Sequence, residues 1–204
     1  TEDLSQSVAY YIDTIKEVHA IETEEGDLPD FKKWVLQWVD FLEGYFDEAH
    51  AKKMCSLIEG IPDSKYIIHG DYHTNNVMVQ NGEPILIDMD TLAVGHPILE
   101  LGSMFNAFVG FGELNKAGIE DFFGVDIEVA HRFWRLSLAR YLGTDDENKI
   151  KEINRVIEGY AMISLIKGVA TSPNVKNWIR KPVVAIYKKK FFKMIDTLYP
   201  IPEL

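Results

Sequence analysis

Hydrophobic residues recur every three or four positions along most of the chain, the spacing that places side chains on one face of an α-helix. This pattern predicts helical regions over residues 4–20, 29–42, 47–59, 98–108, 126–138, 145–166 and 173–198. We expect the glycine-containing segment 109–112 to act as a hinge after the fourth region. We also expect Pro182 to interrupt the last region, because proline lacks the backbone N–H that a helix interior needs.

Three short hydrophobic runs in the middle of the chain have a different character. Residues 66–68, 77–79 and 85–87 are rich in β-branched side chains and are bounded by turn-forming residues, which is typical of strands. Asn81 and Gly82 tolerate the positive φ values of a tight turn, so the second and third runs are expected to form a β-hairpin. The sequence therefore predicts a mostly helical α+β domain built around a small hairpin.

Composition narrows the class of protein. The chain has 204 residues and a net charge of −11, which argues against nucleic acid as a partner because phosphate binding requires Lys and Arg. The acidity is compatible with a cationic small substrate and also with an ordinary acidic surface. Cys55 is the one cysteine, and the sequence contains no signal peptide and no apolar run of about 18 residues. We therefore expect a cytoplasmic protein with no membrane segment and a small-molecule partner.

Four polar residues follow the predicted strands and define a candidate site. Asp71 and Asn76 lie in the loop between the first and second strands, and Asp88 and Asp90 follow the hairpin's return strand. Carboxylates that converge repel one another unless a cation lies between them, and oxygen ligands without thiolate suit Mg²⁺. A carboxylate that binds no metal can accept a proton from a hydroxyl. Such a set is typical of a phosphoryl-transfer site.

The same stretch resembles a known catalytic motif. His69-Gly70-Asp71 followed by Asn76 is similar to the H-x-D-x-x-x-x-N catalytic loop of the protein-kinase superfamily. Together with His73 and the Ile-Asp-Met-Asp sequence at residues 87–90, it resembles the aminoglycoside phosphotransferase and choline kinase branch of that superfamily.

The resemblance implies a role for each matching residue. Asp71 would be the catalytic base, and His69 would brace the catalytic loop. Asn76 and Asp88 would bind Mg²⁺ and, through it, the nucleotide, which would be ATP or GTP. Asp90 would be a further metal ligand, although the family often has Gly or Glu there. Glu100 would either brace the loop or lie on a helix surface.

The resemblance also implies that residues 1–204 form the C-terminal lobe of a protein-kinase-like fold, with a small β-hairpin that carries the catalytic and metal residues. We find no glycine-rich nucleotide loop and no matching strand lysine, the features of an N-terminal nucleotide-binding lobe. We therefore expect this chain to be a fragment of a longer kinase and to be inactive by itself. Apolar surface left uncovered between the lobes would favour self-association.

Three functions remain open from the sequence. The first is transfer of the γ-phosphate of ATP or GTP to a hydroxyl of an aminoglycoside, a choline-like amine or a sugar. The second is a metal-dependent hydrolase built on His69, Asp71 and His73, and the third is a kinase-like binding module without catalysis. The sequence assigns no individual substrate-binding residue, but the resemblance implies that specificity depends on the variable region between Gly112 and Lys181. Acidic residues in this region could meet a cation or cap helices: Asp121, Asp126, Glu128, Asp145, Asp146 and Glu147.

Overall fold

The structure is a computed structural model that describes residues 3–24, 26–173, 175–198, 201 and 204. One predicted helical position, Asn174, lies outside these residues. Helices dominate the described part and confirm the predicted α+β, mostly helical class. They are α1 (Ser5–Val18), α2 (Phe31–Leu42), α3 (Glu48–Glu59), α4 (Pro97–Phe105), α5 (Phe111–Leu114), α6 (Lys116–Phe123), α7 (Ile127–Leu142), α8 (Glu147–Thr171) and α9 (Asn177–Met194).

Four short strands form two separate antiparallel pairs. Strands β2 (Val77–Gln80) and β3 (Glu83–Leu86) form the predicted hairpin, with Asn81 at φ 55° and Gly82 at φ 83° in its turn. Strand β1 (Ile67–Ile68) pairs with β4 (Ala93–Val94), a pairing that the hydrophobic pattern does not predict. Because β1 and β4 pair, the loop that follows β1 and the segment that precedes β4 lie next to each other.

The hydrophobic core lies between the helices. Helix α8 packs against α4 and α9, while α1 packs against α7 and α2 packs against α3. The closest approach of α4 and α8 depends on Gly102, where an added Cβ would lie 3.3 Å from the backbone nitrogen of Ala161. Within the described residues, no helix has both the length and the apolar character needed to cross a membrane.

Helix boundaries follow from capping residues. Asp47, Asp126 and Asp146 each accept a hydrogen bond from a backbone N–H in the first turn of α3, α7 and α8, respectively, which satisfies a donor that the helix leaves unpaired. Gly124 and Gly143 end α6 and α7 in the left-handed conformation that glycine adopts without a steric penalty.

Two expected interruptions are wrong. Residues 109–112 do not form a hinge, because a π-helical segment, Asn106–Gly110, joins α4 to α5 and the backbone N–H of Phe111 donates to the carbonyl of Asn106. The wider turn absorbs an extra residue without breaking the chain of hydrogen bonds.

Helix α9 also continues through Pro182. This proline removes one backbone hydrogen bond near the start of the helix. The buried face of Val184, Tyr187 and Phe191 packs α9 against the core and holds the remainder in place.

Candidate active site

The loop between β1 and β2 begins at a buried histidine whose two ring nitrogens are both occupied. His69 Nδ1 accepts a hydrogen bond from the backbone N–H of Asp71 at 3.3 Å, so Nε2 carries the proton and donates to the carbonyl of Ile87 at 3.2 Å. The ring therefore ties the loop to the segment that follows β3. This geometry agrees with the bracing role that the resemblance implies for His69.

Glu100, on α4, binds the backbone of the same loop. Its side chain is fully buried, and its carboxylate accepts the backbone N–H groups of both His69 and Gly70. Nε2 of the buried His19 lies 3.8 Å from a Glu100 oxygen, and His19 Nδ1 bonds the hydroxyl of Tyr141 at 2.8 Å. Of the two positions expected for Glu100, the structure has the buried one that supports the loop.

Gly70 allows the loop to touch the segment before β4. It has a φ of +84°, and a Cβ added there would lie 2.5 Å from the carbonyl oxygen of Thr91. The Thr91 hydroxyl donates to the carbonyl of His69 at 2.8 Å. A side chain at position 70 is therefore opposed both by the backbone conformation and by the close approach of Thr91.

Tyr72 fixes the loop to the first helix. The Tyr11 hydroxyl donates to the Tyr72 carbonyl at 3.1 Å, and the Tyr72 hydroxyl donates to the Tyr11 carbonyl. Burial raises the pKa of Tyr72 well above its usual value, so the hydroxyl keeps the proton that it donates. The loop is thus anchored on α1, on α4 and on the strand ends, while the Asp71 side chain is exposed.

The Asp71 side chain is 61% exposed, and its carboxylate Oδ2 lies 3.8 Å from Nε2 of His73. Desolvation lowers the pKa of His73, and the nearby Asp71 carboxylate opposes that shift. The His73 ring packs edge-on against Phe122 and Phe123 of α6. An accessible carboxylate held by a fixed backbone is suited to accept a proton from a substrate hydroxyl.

Asn76 and Asp88 lie at the open end of the hairpin. The backbone N–H of Ile87 donates to the carbonyl of Asn76 at 3.0 Å, so Asn76 is opposite Ile87 and adjacent to Asp88. The Asn76 amide nitrogen donates to the carbonyl of Asp71 at 3.0 Å, and no described residue donates to its side-chain oxygen. Asp88 is exposed and has a φ of 59°, a conformation that non-glycine residues adopt at an energetic cost and often at functional sites.

The oxygen atoms of Asn76 and Asp88 fit the ligand preferences of Mg²⁺. Asp90 lies in the exposed turn after Asp88 and forms no ion pair with a described residue. No group of three or more His, Cys, Asp or Glu side chains in the described residues is arranged to hold a metal ion.

The hydrolase alternative requires His69 as a metal ligand. Both ring nitrogens of His69 already form hydrogen bonds inside the protein, and the ring is fully buried. A zinc site typically needs two or three histidine nitrogens together with a water molecule. The geometry therefore removes one of the three ligands on which that interpretation depends.

A cavity of about 630 Å³ opens beside Asp71, which is within the usual range for small-molecule sites. Residues from α5, α6 and the π-helical segment form its walls. Helix α6 lies in the region 112–181 expected to determine specificity, but no individual wall residue outside the loop between β1 and β2 was predicted to be in the site. In the sequence, the features that could have indicated this cavity are the neighbouring Phe122 and Phe123 and the polar Asn106 just before the segment 109–112. The principal wall residues outside the catalytic loop are Asn106, Phe111, Asn115, Ile119, Phe122 and Phe123.

The chain is similar to known proteins in both sequence and structure. Residues 2–135 match the model of the phosphotransferase enzyme family, APH. In a comparison with solved structures, the chain resembles the ADP-bound crystal structure of aminoglycoside phosphotransferase APH(2'')-Ib, with 15% identity and a TM-score of 0.56 over 95% of this chain and 67% of that one. No curated protein matches the chain. The family model spans more than half of the sequence and includes the whole loop between β1 and β2, so this chain belongs to the phosphotransferase enzyme family.

Proposed function

We propose that this protein transfers the γ-phosphoryl group of ATP, or of GTP, to a hydroxyl group of a small molecule. The observation that carries the proposal is the position of Asp71, an exposed carboxylate on a firmly held loop at the edge of the cavity. A substrate that occupies the cavity would present its hydroxyl to this carboxylate, while Asn76 and Asp88 lie on the hairpin side of the same loop.

Each residue then has a separate task. Asp71 orients the substrate hydroxyl and accepts its proton. His69 and Glu100 keep the backbone of the loop in place, so that Asp71 does not have to be reordered in each turnover. Asn76 and Asp88 would hold Mg²⁺, which when bound offsets the negative charge of the nucleotide phosphates. The similar solved structure contains ADP, which supports a nucleotide as the phosphoryl donor.

The test is Asp71→Asn in the complete enzyme with both lobes that the resemblance implies. Asparagine keeps the shape of the side chain but cannot accept a proton, so we expect turnover to fall by a factor on the order of 10² or more with little change in nucleotide affinity. Phosphorylated product is measured by mass spectrometry, and nucleotide affinity is measured by calorimetry.

The matched control is Asp121→Asn, which removes an exposed carboxylate on α6 outside the cavity wall. We expect the control to keep full turnover. Near-normal turnover in a folded Asp71→Asn variant would contradict the assignment of Asp71 as the base.

A further inference from the structure

We propose that the cavity beside Asp71 binds an uncharged, hydroxyl-bearing compound with an apolar, ring-containing body, and that it does not bind a polycation. This inference rests on the proposed function, because it names the class of molecule that would receive the phosphoryl group. It follows from the charge of the cavity wall, from its exposed aromatic rings and from two uncharged polar atoms that have no partner.

The cavity wall carries almost no charge. Among its described residues, Asp71 has the only carboxylate, and none is Lys or Arg. A substrate with several ammonium groups would need several carboxylates to replace the water molecules that hydrate those groups in solution. Asp71 cannot serve this purpose alone, because its proposed role is to accept the proton of the substrate hydroxyl.

The acidic residues of the variable region do not supply those missing carboxylates. Asp126 and Asp146 cap helices, and Glu147 forms an ion pair with Arg135 at 2.5 Å. Asp145 lines a different surface cavity. None of the acidic residues that the sequence offered for a cation lines the cavity beside Asp71: Asp121, Asp126, Glu128, Asp145, Asp146 and Glu147.

Aromatic rings line the cavity at Phe111, Phe122 and Phe123. Phe111 is 47% exposed and Phe122 is 53% exposed, although both line the cavity. Phe123 supports this wall from behind, stacked on Phe108 with ring centroids 5.0 Å apart. A ligand with an apolar body would cover these ring faces and remove them from water. A trimethylammonium group alone would fill only a small part of a cavity of about 630 Å³.

Two buried polar atoms in the wall lack a partner, and neither belongs to a charged group of fixed sign. Asn106 is only 3% exposed, and its amide nitrogen donates to the carbonyl of Ala161 and to the Ser164 hydroxyl, each at 2.8 Å. Its side-chain oxygen is buried without a hydrogen bond, as is Nδ1 of His73. Buried polar atoms without partners are uncommon, and these two add no fixed charge to the wall.

Binding to the 204-residue chain without nucleotide tests the inference directly. Calorimetry compares two uncharged aromatic probes, phenyl β-D-glucopyranoside and uridine, with methyl β-D-glucopyranoside, kanamycin A and choline. We expect at least one aromatic probe to bind tenfold or more tighter than each of the other three. Binding of kanamycin A or choline at equal or higher affinity overturns the inference, as does the absence of binding by both aromatic probes.

Three variants locate the binding and its charge preference. Phe122→Ala is expected to weaken the aromatic probe at least fivefold. The matched control Phe41→Ala removes a ring that is 56% exposed on α2, away from the cavity, and is expected to leave affinity unchanged. Asn115→Asp adds a carboxylate at the cavity wall in the N-cap position of α6, where aspartate is well tolerated, and is expected to raise the affinity for kanamycin A. Equal effects of Phe122→Ala and Phe41→Ala would overturn the location.

Product analysis separates this inference from the proposed function. With Mg-ATP and the complete enzyme, Asp71-dependent phosphorylation of kanamycin A but of neither aromatic probe would retain the phosphotransferase and overturn the inference. Tight, Phe122-dependent binding of an aromatic probe with no phosphorylated product from any probe would retain the cavity assignment and contradict the proposed function.

Discussion

Gly70 lies in close contact with the backbone of Thr91, and Gly82 provides a matched comparison. Both have positive φ values, +84° and +83°, but an added Cβ would meet the Thr91 carbonyl only at Gly70. We predict that Gly82→Ala lowers the free energy of unfolding by about 1–2 kcal/mol, the cost of the left-handed conformation. Gly70→Ala should lower it by about 3 kcal/mol or more, because the backbone must also move. Urea unfolding measures both, and equal losses would contradict the close approach.

Glu100 is a buried carboxylate whose hydrogen bonds go to the catalytic loop. Glu100→Gln replaces one acceptor oxygen with an amide that faces backbone donors, so we predict a loss of about 1.5–3 kcal/mol of unfolding free energy. The control Glu83→Gln, on the exposed edge of the hairpin, should change it by less than about 0.5 kcal/mol. A loss in Glu100→Gln as small as that of the control would mean that these hydrogen bonds contribute little.

The proximity of the candidate site residues could be predicted because they are closely spaced within a short stretch of sequence. His69, Asp71, Asn76 and Asp88 all fall within two segments that are close in the sequence, and the hairpin together with the β1–β4 pairing brings those segments together. Asn106 could not be predicted in the same way. Its unpartnered oxygen is a result of packing against α8, more than 50 residues further along the chain, and no local pattern encodes that contact.

The α3 helix is capped by an interaction that depends on pH. The Asp47 carboxylate accepts a hydrogen bond from the His50 ring and a second from its backbone N–H, which together lower the pKa of Asp47 from 3.8 to about 2. Because the folded state favours the charged form, the resulting stabilisation is complete above pH about 4 and is lost as the pH falls toward 2.

We predict that wild type is more stable than Asp47→Asn at pH 5 and that the difference shrinks steadily as the pH is lowered to 3. Asparagine can still cap the helix, so the difference in stability between wild type and variant measures the contribution of the Asp47 charge. Urea unfolding at each pH gives the difference, and NMR titration of the carboxyl carbon gives the pKa. A pKa of Asp47 near 3.8 would contradict the prediction.

Helices with a long apolar stripe were predictable, and the region 98–108 includes Asn106 of the cavity wall, whereas helix α6 was not predicted. Helix α6 has only eight residues and includes Gly118, so it lacks the length that makes helical periodicity recognisable. The segment 109–112 was expected to be a hinge because of its glycines, yet a π-helical turn keeps it continuous. In this structure Gly110 leaves room for the Asn106 side chain, so that glycine serves packing instead of flexibility.

The arrangement of the whole chain follows the family resemblance more than any local pattern. Periodicity predicted helices and one hairpin, but it did not predict the pairing of β1 with β4 or the central position of α8. Those features depend on contacts between distant segments, as when Tyr11 bonds to Tyr72 across 61 positions. The hairpin also exposes apolar side chains at Met78, Val79 and Ile85.

Charge predicts how the 204-residue chain behaves with nucleotide. A triphosphate carries several negative charges, and the candidate site adds the carboxylates of Asp71, Asp88 and Asp90. In the described part of the chain, no Lys or Arg forms an ion pair with any of these three. Bound Mg²⁺ offsets only part of this negative charge. The resemblance implies that a lysine and backbone N–H groups of a sheet lobe offset the rest.

We therefore predict that the 204-residue chain folds into its helical domain but shows no appreciable phosphotransfer from Mg-ATP. A chain that also carries a sheet lobe of about 80 to 100 residues at its amino end should bind ATP, since a domain of that size is sufficient to fold. Circular dichroism checks folding, calorimetry checks ATP binding, and product formation is measured for both chains. Asp71→Asn in the longer chain is the control for background hydrolysis. Robust, Asp71-dependent activity in the 204-residue chain would show that its own residues hold the triphosphate, and the charge argument would then be wrong.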